Sequence, residues 1–159
     1  MNRVAIVVFA TMMPIVNGGV QEEERRDQFV GCYKLELGRW TRFWILPAKV
    51  ARHNQVPPST FRLRPQQIEP HYFRVEPSTI INGAPSRLNG WGIDPHASHS
   101  IYITWTDGFT GVTLHLQEDG TELRGHATAY TDARGLLPFP SAPAVGRRIA
   151  CESGGTPGK

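Results

Sequence analysis

Cysteine is nearly absent from this chain. Cys32 and Cys151 are the only two. Lysine is scarce as well, confined to Lys34, Lys49 and Lys159. The arginines are scattered and never run beyond the pairs Arg25-Arg26 and Arg147-Arg148, so the net charge of +3 is a small excess. Nucleic-acid recognition calls for basic residues clustered on one face, and no nucleic acid is expected as a partner. No apolar run reaches the about 20 residues of a membrane-spanning helix, which argues against stable membrane insertion once any leader is removed. The motifs G-x-S-x-G, G-x-x-x-x-G-K and G-x-G-x-x-G are missing. With them go the sequence signals for a strained serine nucleophile, a phosphate-cradling loop and a dinucleotide site. No catalytic residue and no cofactor are assigned.

The N-terminus carries the first positive signal. Arg3 is followed by an uncharged, mostly apolar run from Val4 to Val16, then Asn17-Gly18-Gly19, then the abruptly charged Gln21–Asp27. A basic residue, a short apolar run and small residues in that order match a secretory signal peptide. Residues 1–19 are therefore expected to be an export signal, 20–28 a charged flexible lead-in, 29–151 one β-domain and 152–159 a disordered Gly-rich tail. The alternative for the first segment is a core strand or helix. Export places the protein in the periplasm or outside the cell, where two cysteines pair. A Cys32–Cys151 bond would enclose every expected strand and leave no thiolate nucleophile. Cys32 has outward parity on its strand and Cys151 shares parity with the apolar Ile149. The bond is thus expected to clasp the outer face of the first strand, with Cys151 at or beyond the end of the last.

From Phe29 onward a period of two dominates, the mark of half-buried strands. Tyr33, Leu35 and Leu37 alternate with Cys32, Lys34 and Glu36; Phe61 and Leu63 with Arg62 and Arg64; His71, Phe73 and Val75 with Tyr72, Arg74 and Glu76. Ile101, Ile103 and Trp105 alternate with Tyr102, Thr104 and Thr106, and Val112, Leu114 and Leu116 with Thr113, His115 and Gln117. Pro65, Pro70 and Pro77 are expected to bound short strands. Asp119-Gly120 predicts a two-residue hairpin turn, with Leu116 opposite Leu123, Leu114 opposite Gly125, and His115 and His126 near each other diagonally on the outer face. Phe43–Val50 reads as an edge strand or irregular segment because of Pro47. Residues 78–100 and 133–146 read as long loops, with a short strand possible within Arg87–Ile93, and Arg147–Cys151 as a short last strand. No helix is expected. The sum is an all-β chain, a single antiparallel up-and-down β-barrel of about eight strands, with a β-sandwich as the alternative.

The chemistry-bearing residues are few. Asp94, His96 and His99 form D-x-H-x-x-H, suitable zinc ligands by type, but a loop spacing fixes no geometry, and the metal assignment stays at none. Asp107 and Asp119 suit turns. The aromatics, among them Tyr33, Phe61, Phe73, Trp91 and Trp105, either fill a core or line a cavity.

Three short features resemble the lipocalin and wider calycin group. Gly31-Cys32-Tyr33 stands where that family's first strand carries G-x-W, with Tyr33 in place of the tryptophan. Thr131-Asp132-Ala133 matches the first two residues of its T-D-Y motif. Arg147 or Arg148 stands where a basic residue packs over the first-strand aromatic. The resemblance implies an up-and-down barrel with an internal binding cavity. The leading functional reading is an exported, non-catalytic barrel holding a small apolar molecule, lined by Tyr33, Leu35, Phe61, Phe73, Ile103, Trp105, Leu114 and Ala127. The alternatives are a solid β-domain that contacts a protein partner through its long loops, favoured if Trp91 is exposed, and a metal-dependent hydrolase using His96 and His99.

Overall fold

In a computed structural model the described residues are 18–41, 57–77, 80–81, 84–85, 89–97, 99–106, 110–131 and 139–151. The expected export signal up to residue 17, the Phe43–Val50 segment and the 152–159 tail lie outside them.

Among the described residues one helix, α1 (Gly18–Phe29), precedes the strands. It overturns the expectation of no helix and spans the expected lead-in at 20–28. Gln, Glu and Arg are good helix formers, and the last turn is tied to the barrel. Phe29 is buried, and the carbonyls of Gln28, Phe29 and Val30 all accept hydrogen bonds from barrel side chains. Fixing the C-terminal carbonyls satisfies groups that a helix end otherwise leaves unpaired.

The strands are β1 (Gly31–Leu37), β2 (Thr60–Glu69), β3 (Tyr72–Glu76), β4 (Ile80–Ile81), β5 (Ala84–Pro85), β6 (Gly90–Ile93), β7 (Ser100–Thr106), β8 (Thr110–Asp119), β9 (Glu122–Thr131) and β10 (Ser141–Ile149). Eight of them close a barrel in the ring order β1-β10-β9-β8-β7-β6-β3-β2, while β4 and β5 pair with each other. Every pairing is antiparallel. The architecture is the up-and-down barrel expected from the alternation, and the sandwich alternative falls. Closure leaves the eight-stranded ring without an edge strand.

The strand directions sort the connections. Residues 70–71, 94–99 and 120–121 turn the chain at the end where α1 enters β1. The longer connections 38–59, 77–89 and 132–140, with 107–109, all join strands at the opposite end. We refer to these as the turn end and the loop end.

Prolines misplace two strand boundaries in the sequence reading. β2 runs through Pro65 because a register irregularity between Leu63 and Gln67 falls there, where β1 no longer pairs with it. β10 begins at Ser141, so the expected 133–146 loop contains most of that strand. Pro143 fits because its carbonyl accepts from Gly38, just past the end of β1. In a strand the nitrogen and carbonyl of one residue point to the same side, so the missing N–H faces no ladder partner. Likewise β6 takes 90–93 out of the expected 78–100 loop. His71 is a turn residue with φ of 64°, not part of β3.

The β8–β9 turn lies one residue later than Asp119-Gly120. Asp119 pairs with Glu122, and Gly120-Thr121 make the turn. Gly120 has φ of 63° and Thr121 is not among the residues with positive φ, the arrangement in which only the first central residue must be glycine. Moving the turn by one residue slides the register by two. Leu116 therefore faces Gly125, Leu114 faces Ala127, and His115 directly faces His126 rather than lying diagonal to it. A slip of two keeps every side chain on its expected face.

Candidate functional site

All eight residues expected to line the interior do point inward. Tyr33, Leu35, Phe61, Phe73, Ile103, Trp105, Leu114 and Ala127 are between 0% and 7% exposed and join one apolar cluster. Their inner-face partners lay beyond the expected list: Leu63, Val75, Trp91, Ile101, Val112 and Leu116 are equally buried. Trp91 has 0% exposure, so the exposed aromatic patch that would favour a protein-docking role does not form there.

The interior has two unlike walls. Phe61, Phe73, Trp91 and Trp105 come from β2, β3, β6 and β7. Ala127 and Ala129 on β9, with Ala142, Ala144 and Gly146 on β10, line the other side. The ring order sets β9 and β10 across the barrel from β3 and β6. The aromatics fill the space from Tyr33 at the turn end to Trp105, which adjoins the last residue of β7 at the loop end. Tyr33 stacks on Phe61 at 5.3 Å, Phe61 meets the Trp105 edge at 5.9 Å, and Phe73 packs on Trp91 at 5.1 Å. Phe61 and Tyr33 come so close to Gly146 that an added Cβ would sit 3.7 and 3.8 Å from them. Both buried indoles keep a partner: Trp91 donates to the Arg64 carbonyl at 3.0 Å and Trp105 to the Pro77 carbonyl at 3.1 Å. The first carbonyl belongs to the irregular stretch of β2. Near the loop end, the Asn89 side chain accepts the Thr106 N–H at 2.8 Å.

The turn end is plugged. Arg148 follows Ala142, Ala144 and Gly146 on the inward parity of β10 and lies opposite Tyr33. Its guanidinium sits 5.3 Å over the Tyr33 ring and donates to the Tyr33 hydroxyl at 2.9 Å and to the Gln28 carbonyl at 2.6 Å. The Tyr33 hydroxyl donates in turn to the Phe29 carbonyl at 2.8 Å. Of the two arginines that the lipocalin resemblance allowed over the first-strand aromatic, Arg148 is the one. Burial raises the Tyr33 pKa, and the Arg148 charge offsets part of that rise. Arg26 covers Phe73 at 5.6 Å from the same helix. A cleft of about 550 Å³ opens beside this plug, between Phe29, Tyr33, Thr121, Leu123 and Arg148. The neighbouring Arg147 points outward and bridges Glu36 and Glu122, each at 2.7 Å. Its hydrogen bond is the main reason the Glu122 carboxyl lies below the usual range.

Cys32 and Cys151 are bonded, with Cα atoms 5.2 Å apart. Cys32 faces Ile149 across β1 and β10. Ile149 is 40% exposed, so it lies on the outer face and the parity difficulty disappears. Cys151 stands two residues on, beyond the end of β10.

The D-x-H-x-x-H residues do not converge. Asp94 accepts the His96 backbone N–H at 2.8 Å, closing the turn, and His99 leans towards Glu118 at 3.6 Å. Among the described residues no group of three or more His, Cys, Asp or Glu side chains could hold a metal. The geometry the sequence did not reveal is the outer-face row running from Tyr72 through Tyr102 to His115 and His126. Gly90 and Gly92 make room for the two tyrosines, whose rings lie where a Cβ would stand.

A comparison with known protein families, with curated proteins and with solved structures finds no match to the chain. The class is therefore defined by the fold alone: a disulfide-closed, eight-stranded antiparallel barrel plugged at one end.

Proposed function

We propose that this protein is an exported, non-catalytic barrel that holds a small apolar molecule in its interior. The observation that carries this reading is the asymmetry of the barrel. One end is sealed by α1, Tyr33 and Arg148, and the connections at the other are mostly long. Between them lies an apolar interior with an aromatic wall facing a wall of alanines. Such one-ended vessels are the usual way a small barrel takes a ligand. The disulfide supports an oxidising compartment, periplasmic or extracellular.

Mass spectrometry of untagged protein under non-denaturing conditions tests the reading first, with a retained small molecule as the expected result. The second test titrates an apolar fluorescent probe and follows energy transfer from Trp91 and Trp105. Ala127→Trp, which fills the small-residue wall, is expected to lower probe affinity by about tenfold or more while the barrel remains folded. Absence of both a retained molecule and saturable transfer in the wild-type protein would overturn the proposal. The loop-mediated interaction module would then be the better reading.

A further inference from the structure

The β8–β9 register places two imidazoles together on the barrel's outer face. His115 pairs directly with His126, and their rings stand 5.2 Å apart at 20° to each other. Both strands are held on both sides, β8 by β7 and β9, and β9 by β8 and β10. The two Cβ positions are therefore fixed by hydrogen-bonded ladders rather than by a loop. Among the described residues neither ring is hydrogen-bonded to another side chain or to the backbone.

We infer that His115 and His126 form a bidentate site for an imidazole-seeking divalent ion, Zn²⁺ or Cu²⁺, on the outside of the barrel. Distance carries the inference. An imidazole nitrogen binds zinc at about 2.0–2.1 Å, which sets two ring centres on one tetrahedral ion about 5 Å apart. The observed spacing meets this with only rotation about each Cβ–Cγ bond to aim the nitrogens. Burial and the facing His126 lower the His115 pKa. Asp94 opposes that shift. Its negative charge acts on both His115 and Tyr102, and the same field favours an arriving cation. Across the neighbouring strands Tyr102 faces His115 and Pro143 faces His126, so no cation stands directly opposite either ring. Water fills the remaining coordination positions. This pair is separate from the interior and does not depend on what the barrel carries.

The test uses the untagged full chain, stripped with a chelator and titrated with Zn²⁺ alone by calorimetry. One ion per chain is expected. His115→Gln and His126→Gln are each expected to weaken binding by about tenfold or more, while the double change His96→Gln with His99→Gln leaves it unaltered. In the wild-type protein, trace Cu²⁺ is expected to broaden the ring signals of His115 and His126 in the NMR spectrum before those of His96 and His99. This last reading requires no variant to fold. No binding up to millimolar Zn²⁺, wild-type affinity in both single variants, or broadening that starts at His96 and His99 would each overturn the inference.

Discussion

Arg148 joins three parts of the molecule through one side chain. It covers the Tyr33 ring, donates to the Tyr33 hydroxyl and to the last carbonyls of α1, and does so from the end of β10. Charge-assisted bonds to fixed acceptors exceed ordinary ones, though partial solvent exposure reduces them here. Arg148→Ala is expected to cost about 1–3 kcal/mol in urea unfolding. It should also speed amide exchange at the end of α1 while leaving β7 to β9 protected. A loss spread evenly over the barrel would show that Arg148 does not hold the helix. The residue type and its approximate place were legible, because only two adjacent arginines stand near the end of the last strand. Choosing between them required the inward parity of β10, which Ala142, Ala144 and Gly146 conceal by being too small to read as a core face.

The β8–β9 hairpin shows what an element's pattern reveals and what it hides. Large apolar residues alternating with polar ones made β7 and β8 plain from sequence, and the turn after β8 placed β9 opposite it. The faces were right, and the partners were displaced by two because Asp-Gly and Gly-Thr turns leave the same parity. α1 stayed hidden for a different reason. Its anchoring comes from Tyr33 and Arg148, distant in sequence, whereas the charged segment itself carries only a weak apolar face. The hairpin also has its own pH response. The folded pKa of His115 lies below its unfolded value, so the unfolded chain binds protons more readily. Stability from this group is complete above the ordinary imidazole value of about 6.5 and falls as pH drops below it. Glu122 acts in a lower window. Its depressed pKa contributes stability above the ordinary carboxyl value of about 4.3, lost as pH falls through the folded value. His115→Gln is expected to flatten the decline in the urea midpoint between about pH 7 and pH 5 and to leave the steeper acid limb in place. An unchanged slope in that interval would count against the assignment.

For the whole molecule, the disulfide spans 119 positions and ties the first barrel strand to a residue just beyond the last. Loops of that length restrict the unfolded chain strongly. Cys32→Ser with Cys151→Ser is expected to lower stability by about 2–5 kcal/mol, read as a fall in urea midpoint with little change in slope. A midpoint equal to that of the oxidised protein would mean that barrel packing alone fixes closure. The bond was legible from two residues and an export-like N-terminus. The closed ring was less so, because the β1–β10 pairing joins segments at opposite ends of the sequence and leaves no local pattern. That pairing has one more consequence. In space the barrel has no first or last strand, since β1 and β10 are neighbours like any others. Where the chain happens to begin is thus a matter of connectivity rather than of architecture. A circular permutant that links the tail beyond Cys151 to the start of α1 and opens between Gly120 and Thr121 would trace the same ring of strands in a different order.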